Sequence, residues 1–204
     1  MNYLDYAVDD IIGENCERLF ILESPHCDEL DHLPPVPAVG KTGRIMSETL
    51  GYSSNFGLGQ LIHNKEASKE GIINSSRIPL QRKAYKGVVP KELEPFMRIR
   101  EVSNDMNCEE LSAHLSQEDF KGLRTSMKRR FDDVINKFPV TQIIICGKIA
   151  SAFVSASIGI KPEKVATKET YTLFDRDIDI IWARHPANKQ YEWNCFCKNE
   201  TKDN

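Results

Sequence analysis

The sequence has no long apolar run. Its longest ones, such as Ile143–Cys146, are far short of the roughly 20 residues that cross a bilayer, so no membrane partner is expected. It has no C-x-x-C pair. Six cysteines (Cys16, Cys27, Cys108, Cys146, Cys195 and Cys197) are scattered, and Cys195 and Cys197 lack a second close pair to complete a zinc or iron–sulfur set. They read as free thiols of a reducing compartment, with no metal and no other cofactor expected. There is no signal-peptide layout, since MNYLDYAVDD is acidic, and a cytoplasmic location is the expectation. There is no excess of positive charge. Lys plus Arg is 27 and Asp plus Glu is 30, a net −3, which excludes a polycation that grips nucleic acid by bulk electrostatics and leaves room for a local basic groove. Internal repeats and low-complexity tracts are absent.

What is present is ordinary for a soluble globular protein: 204 residues, 40% hydrophobic and 28% charged. The length predicts one domain over residues 1–204, with a core from about 17 to 197. Helical spacing predicts a short helix over Tyr3–Ile12 and a long amphipathic one within Ser116–Phe138. Arg18–Glu23, Gly71–Asn74, Thr141–Cys146, Thr170–Phe174 and Ile178–Ala183 read as short strands. Further helices are expected over Arg44–Leu50 (capped by Thr42), Lys91–Val102, Ile149–Ser157 and Ala187–Phe196, with a long irregular loop over His26–Val39. Alternating strands and helices predict an α/β protein with a mostly parallel sheet. Ligands of such sheets bind beyond the carboxyl ends of the strands. Three unusual polar segments lie there: Glu23-Ser24-Pro25-His26, Asn74-Ser75-Ser76-Arg77 and Arg184-His185-Pro186-Ala187-Asn188.

Each segment carries a chemical possibility and a plain one. Glu23 ends an apolar strand, where a carboxylate is costly without a task or a partner. Asn74 offers the paired donor and acceptor that read a base edge, or an Asx turn. His185, between Arg184 and Pro186, reads as a catalytic ring or as a structural one. Gly40 and Gly43 flank a helix start, where free amides favour an anion such as a DNA phosphate. The stretch PAVGKTGR is no P-loop, because Pro35 stands where the first glycine is required. Ser24 lies in LESPH rather than in a G-x-S-x-G elbow, which argues against an α/β-hydrolase.

These segments together resemble the uracil-DNA glycosylase superfamily. The match is closest to the branch with G-E-A-P-G followed by P-F-V-G-x-x-G. Here the stretches are Leu22-Glu23-Ser24-Pro25-His26 and Pro37-Ala38-Val39-Gly40-Lys41-Thr42-Gly43. Ile72-Ile73-Asn74 is similar to the family's middle strand, Ile143–Ala150 to its later strand, glycine and helix, and His185-Pro186-Ala187 to its H-P-S motif. The resemblance implies a three-layer α/β/α sandwich around a four-stranded parallel sheet, and hydrolysis of the N-glycosidic bond of uracil or another altered base flipped out of DNA. It implies that Glu23, with Ser24 beside it, positions water and that His185 faces the leaving base. Asn74 would read the base, with His26 and Ala38 in the base pocket. Gly40, Lys41, Gly43, Arg77, Arg184 and Lys189 would contact DNA.

Ala38 stands where the family has its stacking aromatic, Ser24 where an active branch has aspartate, and the branch's cluster cysteines have no counterparts. The alternative expectation is therefore a non-catalytic binder of nucleic acid or nucleotide on the same frame. Basic residues from Arg77 to Lys86, with Lys41, Arg44, Arg184 and Lys189, are expected around the cleft. Acidic Asp28–Asp31 and Glu101–Glu110 are expected away from it, and Arg124–Arg130 reads as the solvated face of a helix.

Overall fold

The computed structural model describes residues 6–161 and 166–188. Six strands form one sheet: β1 (Ile11–Ile12), β2 (Arg18–Leu22), β3 (Glu70–Asn74), β4 (Gln142–Cys146), β5 (Lys168–Leu173) and β6 (Arg176–Ala183). Their order is β1-β3-β2-β4-β6-β5. The inner strands β3, β2, β4 and β6 are mutually parallel, while β1 and β5 add antiparallel edges. The protein is thus α/β as expected, but the sheet is mixed and six-stranded rather than four-stranded and parallel. The edge strands explain the difference. Ile11 and Ile12 pair with Ile72 and Gly71, so the segment expected to end a helix extends instead. Gly13 sets that path, because a Cβ there would overlap the Ser68 carbonyl.

Alternate residues of the inner strands face opposite ways. Leu19, Ile21, Ile73, Ile143, Ile145, Ile180 and Trp182 pack against α5 (Cys108–Leu115), α6 (Lys121–Lys137) and α7 (Lys148–Ile158). Phe20, Leu22, Ile72, Ile144, Cys146 and Ile181 pack on the other side with α2 (Lys41–Thr49) and α3 (Leu58–His63). Burial on both faces is why these strands read as unbroken apolar runs. None of the described helices is long and apolar enough to cross a membrane.

The long helix begins at Lys121, after a 3-10 turn at Glu118–Phe120. Arg130 lies on its buried side, not on a solvated face. It pairs with Asp10 at 2.7 Å and donates to the carbonyls of Asn74 (2.9 Å) and Ser75 (3.2 Å). Gly40, not Thr42, occupies the N-cap of α2. The segment after His26 holds α1 (Cys27–Leu30) before it turns back into the core at Val36, Ala38 and Val39. Lys91–Leu93 is a 3-10 turn leading into α4 (Glu94–Val102). After β6 comes a 3-10 turn at Pro186–Asn188. The rest of the helix expected through Phe196 lies outside the described residues.

A candidate active site at the ends of the parallel strands

The registers bring the four inner strands to a level finish. Leu22 pairs with Asn74, Ile21 with Ile145, and Cys146 with Ala183. Ladder-like bonds carry on for one more step, from Ser75 N to Leu22 O (2.8 Å) and from Gly147 N to Ala183 O (2.8 Å). The connection from β2 runs to β3 on one side, and β4 lies on the other. The strand order therefore reverses between β2 and β4, the place where open α/β sheets hold ligands. A cavity of about 640 Å³ sits there.

Glu23, Ser24 and His26 from the end of β2 line this cavity, as do His185 and Ala187 after β6. Gly40 and Lys41 at the start of α2, and Gly147 and Lys148 at the start of α7, also line it. Two helix N-termini thus open on one space, and their unpaired amides favour a negative group. Gly147 has φ +92°, a conformation that glycine adopts without strain, and His185 Cβ lies 3.4 Å from where its side chain would start.

Glu23 is buried and forms an ion pair with Arg100 of α4. Burial raises its pKa, and Arg100 pulls it back down. The His185 pKa is lowered from its ordinary 6.5 by burial first and then by the charge of Arg100, which favours the neutral ring. Its Nδ1 accepts from the Ala187 N–H at 3.3 Å, which leaves the proton on Nε2. Ser24 Oγ accepts from the Leu80 N–H at 3.3 Å. That contact spends a lone pair on the neighbouring loop.

Glu29 is the residue that sequence reasoning missed. Its Oε1 accepts from the Ala38 N–H at 2.8 Å and its Oε2 from the His26 N–H at 3.3 Å, clipping the two ends of the loop together. Burial pushes its carboxyl up to about 7, against the pull of those two amides. A capping-box signal was legible, a glutamate three residues after a cap, but nothing in it pointed to a cavity wall. Asp28 and Glu29 both line the cavity, which corrects their expected place away from the cleft. Arg100 and Lys148 carried no sequence signal. They reach the site only because α4 and α7 pack beside it.

Asn74 does not line the cavity. Its carboxamide lies beside Glu29 and helps to lower that group's pKa, yet neither its nitrogen nor its oxygen completes a hydrogen bond of good geometry. An orphaned buried carboxamide is expensive and stands out in a folded chain. Ala38 is buried in the core with φ +53°, behind the cavity wall rather than on it. Gly43 packs against Ala38, whose carbonyl oxygen would lie 1.6 Å from an added Cβ, so its role here is close packing. Arg77 pairs with Asp9 and lines a second cavity of about 490 Å³, beside Arg129 and Arg130. Arg184 is exposed outside the lining, and Lys189 lies outside the described residues.

The basic rim is smaller than the sequence suggests. Arg82 is engaged by Glu94 and Glu101, and Lys86 by Asp31. Lys41, Lys83, Arg100 and Lys148 line the cavity against the carboxylates of Glu23, Asp28 and Glu29. The site is therefore close to neutral, with cations at its edges. A scan of protein-family models and a search of curated proteins each returned no match to this chain.

Proposed function

We propose that the chain hydrolyses the N-glycosidic bond of uracil or another altered base flipped out of DNA. The observation that carries this reading is the meeting of Glu23 and His185 in one cavity, although they stand 162 positions apart in sequence. The neutral His185 ring offers an Nε2 proton to an oxygen of the departing base. This stabilises the charge that grows as the bond breaks, and needs no proton delivery beforehand. Glu23, held by Arg100, accepts a hydrogen bond from water and aims it at the sugar carbon. The C1′–N bond breaks with its electrons going to the base, water oxygen adds at C1′ and gives a proton to the Glu23 carboxylate, and the base leaves as the anion that the His185 N–H stabilises. The N-termini of α2 and α7 hold flanking phosphates. Glu29, with the Asn74 carboxamide behind it, is the part of the wall that offers a carboxyl edge to the base. The helices on both faces of the sheet make the α/β/α three-layer frame of such enzymes.

Purified protein incubated with single and double strands carrying uracil or hypoxanthine is expected to leave abasic sites. His185→Ala should slow release about 10²–10³-fold, the loss typical of one charge-stabilising donor. Glu23→Gln should cost about 10²–10⁴-fold, as for a general acid or base. A folded wild type that releases no base from any of these substrates overturns the reading.

A second reading has its own observation. Ala38 is buried and offers no ring to stack on a base, a contribution of about 1–3 kcal/mol elsewhere. A non-catalytic nucleic-acid or nucleotide binder on the same frame fits that absence. Tight binding of lesion DNA without abasic product would favour it.

A further inference from the structure

We propose that His26, Cys27 and Asp28 form a three-ligand site for a zinc-class divalent ion, with its fourth position open to the cavity. The proposal is independent of the glycosidic reading. Cys27 Sγ lies 3.2 Å from His26 Nδ1 and 3.7 Å from Asp28 Oδ1, and His26 Nδ1 lies 3.6 Å from Asp28 Oδ2. A zinc ion with ligand bonds of about 2.0–2.3 Å at tetrahedral angles holds its ligand atoms about 3.3–3.7 Å apart. The sulfur and the ring nitrogen stand near that separation, each has one Asp28 oxygen close to it, and one ligand atom from each of these three consecutive residues lies within 4.8 Å of the other two, so a small turn of the Asp28 carboxylate completes the set.

The donor set selects the metal. A thiolate and an imidazole suit zinc and its neighbours, whereas magnesium and calcium require oxygen ligands. No lysine or arginine among the described residues forms an ion pair with Asp28, so its charge is available to a cation. A second feature keeps the seat open. An added Cβ at Gly40 would meet Asp28 Oδ2 at 2.7 Å, so glycine there gives the carboxylate room to stand where it does. His26 and Asp28 line the 640 Å³ cavity, which puts a water or an anionic oxygen within reach of the remaining position. The backbone contact from Asp28 N to His26 Nδ1, at 3.5 Å, is long enough to yield to the ion. On binding, the Cys27 thiol gives its proton to solvent and the sulfur bonds to the metal, so affinity rises with pH.

The test uses chelator-stripped full-length protein titrated with Co²⁺, then with Zn²⁺. The expected result is one equivalent of cobalt, a thiolate-to-cobalt charge-transfer band, and stoichiometric displacement by zinc. Cys27→Ser should abolish the band. Asp28→Asn should weaken binding by more than about tenfold, the loss that even an outer-shell partner brings. Cys195→Ser/Cys197→Ser should leave the band intact. If Cys27→Ser fails to fold by circular dichroism, Asp28→Asn carries the test. A band that survives Cys27→Ser, unchanged affinity in Asp28→Asn, or no band with cobalt at about 0.1 mM overturns the proposal. Because the readout is absorption, a protein without glycosidase activity still gives a clear answer.

Discussion

The ionisable residues of the cavity are set by burial against one arginine. Burial raises the Glu23 carboxyl and lowers the His185 ring, and the charge of Arg100 lowers both, so it tunes the two groups without being one of the pair. Arg100→Met is expected to raise the pKa of both, moving the acidic limb of a pH–rate profile to higher pH. Its cost in stability should be about 1–2 kcal/mol, below that of a fully buried pair, because the arginine is half-exposed. Glu29 has an opposite pH sign to His185. Its folded value, about 7, lies above its ordinary 4.5. Between those pH values the folded chain keeps a proton that the unfolded chain releases, so its contribution to stability falls as pH rises through that window. His185, lowered in the folded state, loses its contribution as pH falls through its ordinary 6.5. Urea midpoints measured at pH 5 and pH 8 should therefore show Glu29→Gln removing one slope and His185→Gln the other. Glu29→Gln should also cost about 1–3 kcal/mol, because an amide cannot accept both the Ala38 and His26 N–H groups.

At the scale of elements, two contacts decide where the cavity walls stand. The first is Arg130, which ties α6 to the end of β3 through Asp10 and the carbonyls of Asn74 and Ser75. Arg130→Met leaves Asp10 buried and unpaired, and is expected to cost about 3–5 kcal/mol in urea unfolding. An Asp10→Asn/Arg130→Met pair should recover part of that loss. The second is the approach of α2 to the loop at Ala38. Gly43→Ala places a methyl on the Ala38 carbonyl and should destabilise by more than about 1–3 kcal/mol, since backbone rather than a flexible side chain must move. The inner strands, α2 and α7 were legible because apolar runs and flanking glycines mark them locally. The helices α3 and α5 and the edge strand β1 were not. Their periodicity is short, and β1 exists only because β3 offers it an open edge.

For the molecule as a whole, the net charge of −3 describes the average surface and not the cavity. Three cationic side chains besides the paired Arg100, Lys41, Lys83 and Lys148, line that space. DNA affinity is expected to fall with a log–log salt slope of about −2 to −3, the value for roughly three phosphates neutralised. Fluorescence anisotropy over a range of salt concentrations measures that slope. A slope near zero would mean that duplex DNA does not enter by this face.

By itself the sequence determined the α/β class, the four inner strands, and the identity of the polar residues at their ends. These are local properties: a short apolar run, a proline or glycine that stops it, a polar side chain left at the tip. Only the tertiary structure decided which tips share a cavity. Strand order placed Glu23 and His185 together and turned Asn74 behind Glu29. Helix packing delivered Arg100, whose charge holds both groups. The Ala38-to-Glu29 hydrogen bond turned the loop so that His26 and Asp28 line the same cavity. The physical reason is range. Backbone preference and hydrophobic periodicity act over a few residues, whereas desolvation and charge pairing depend on neighbours that only packing supplies.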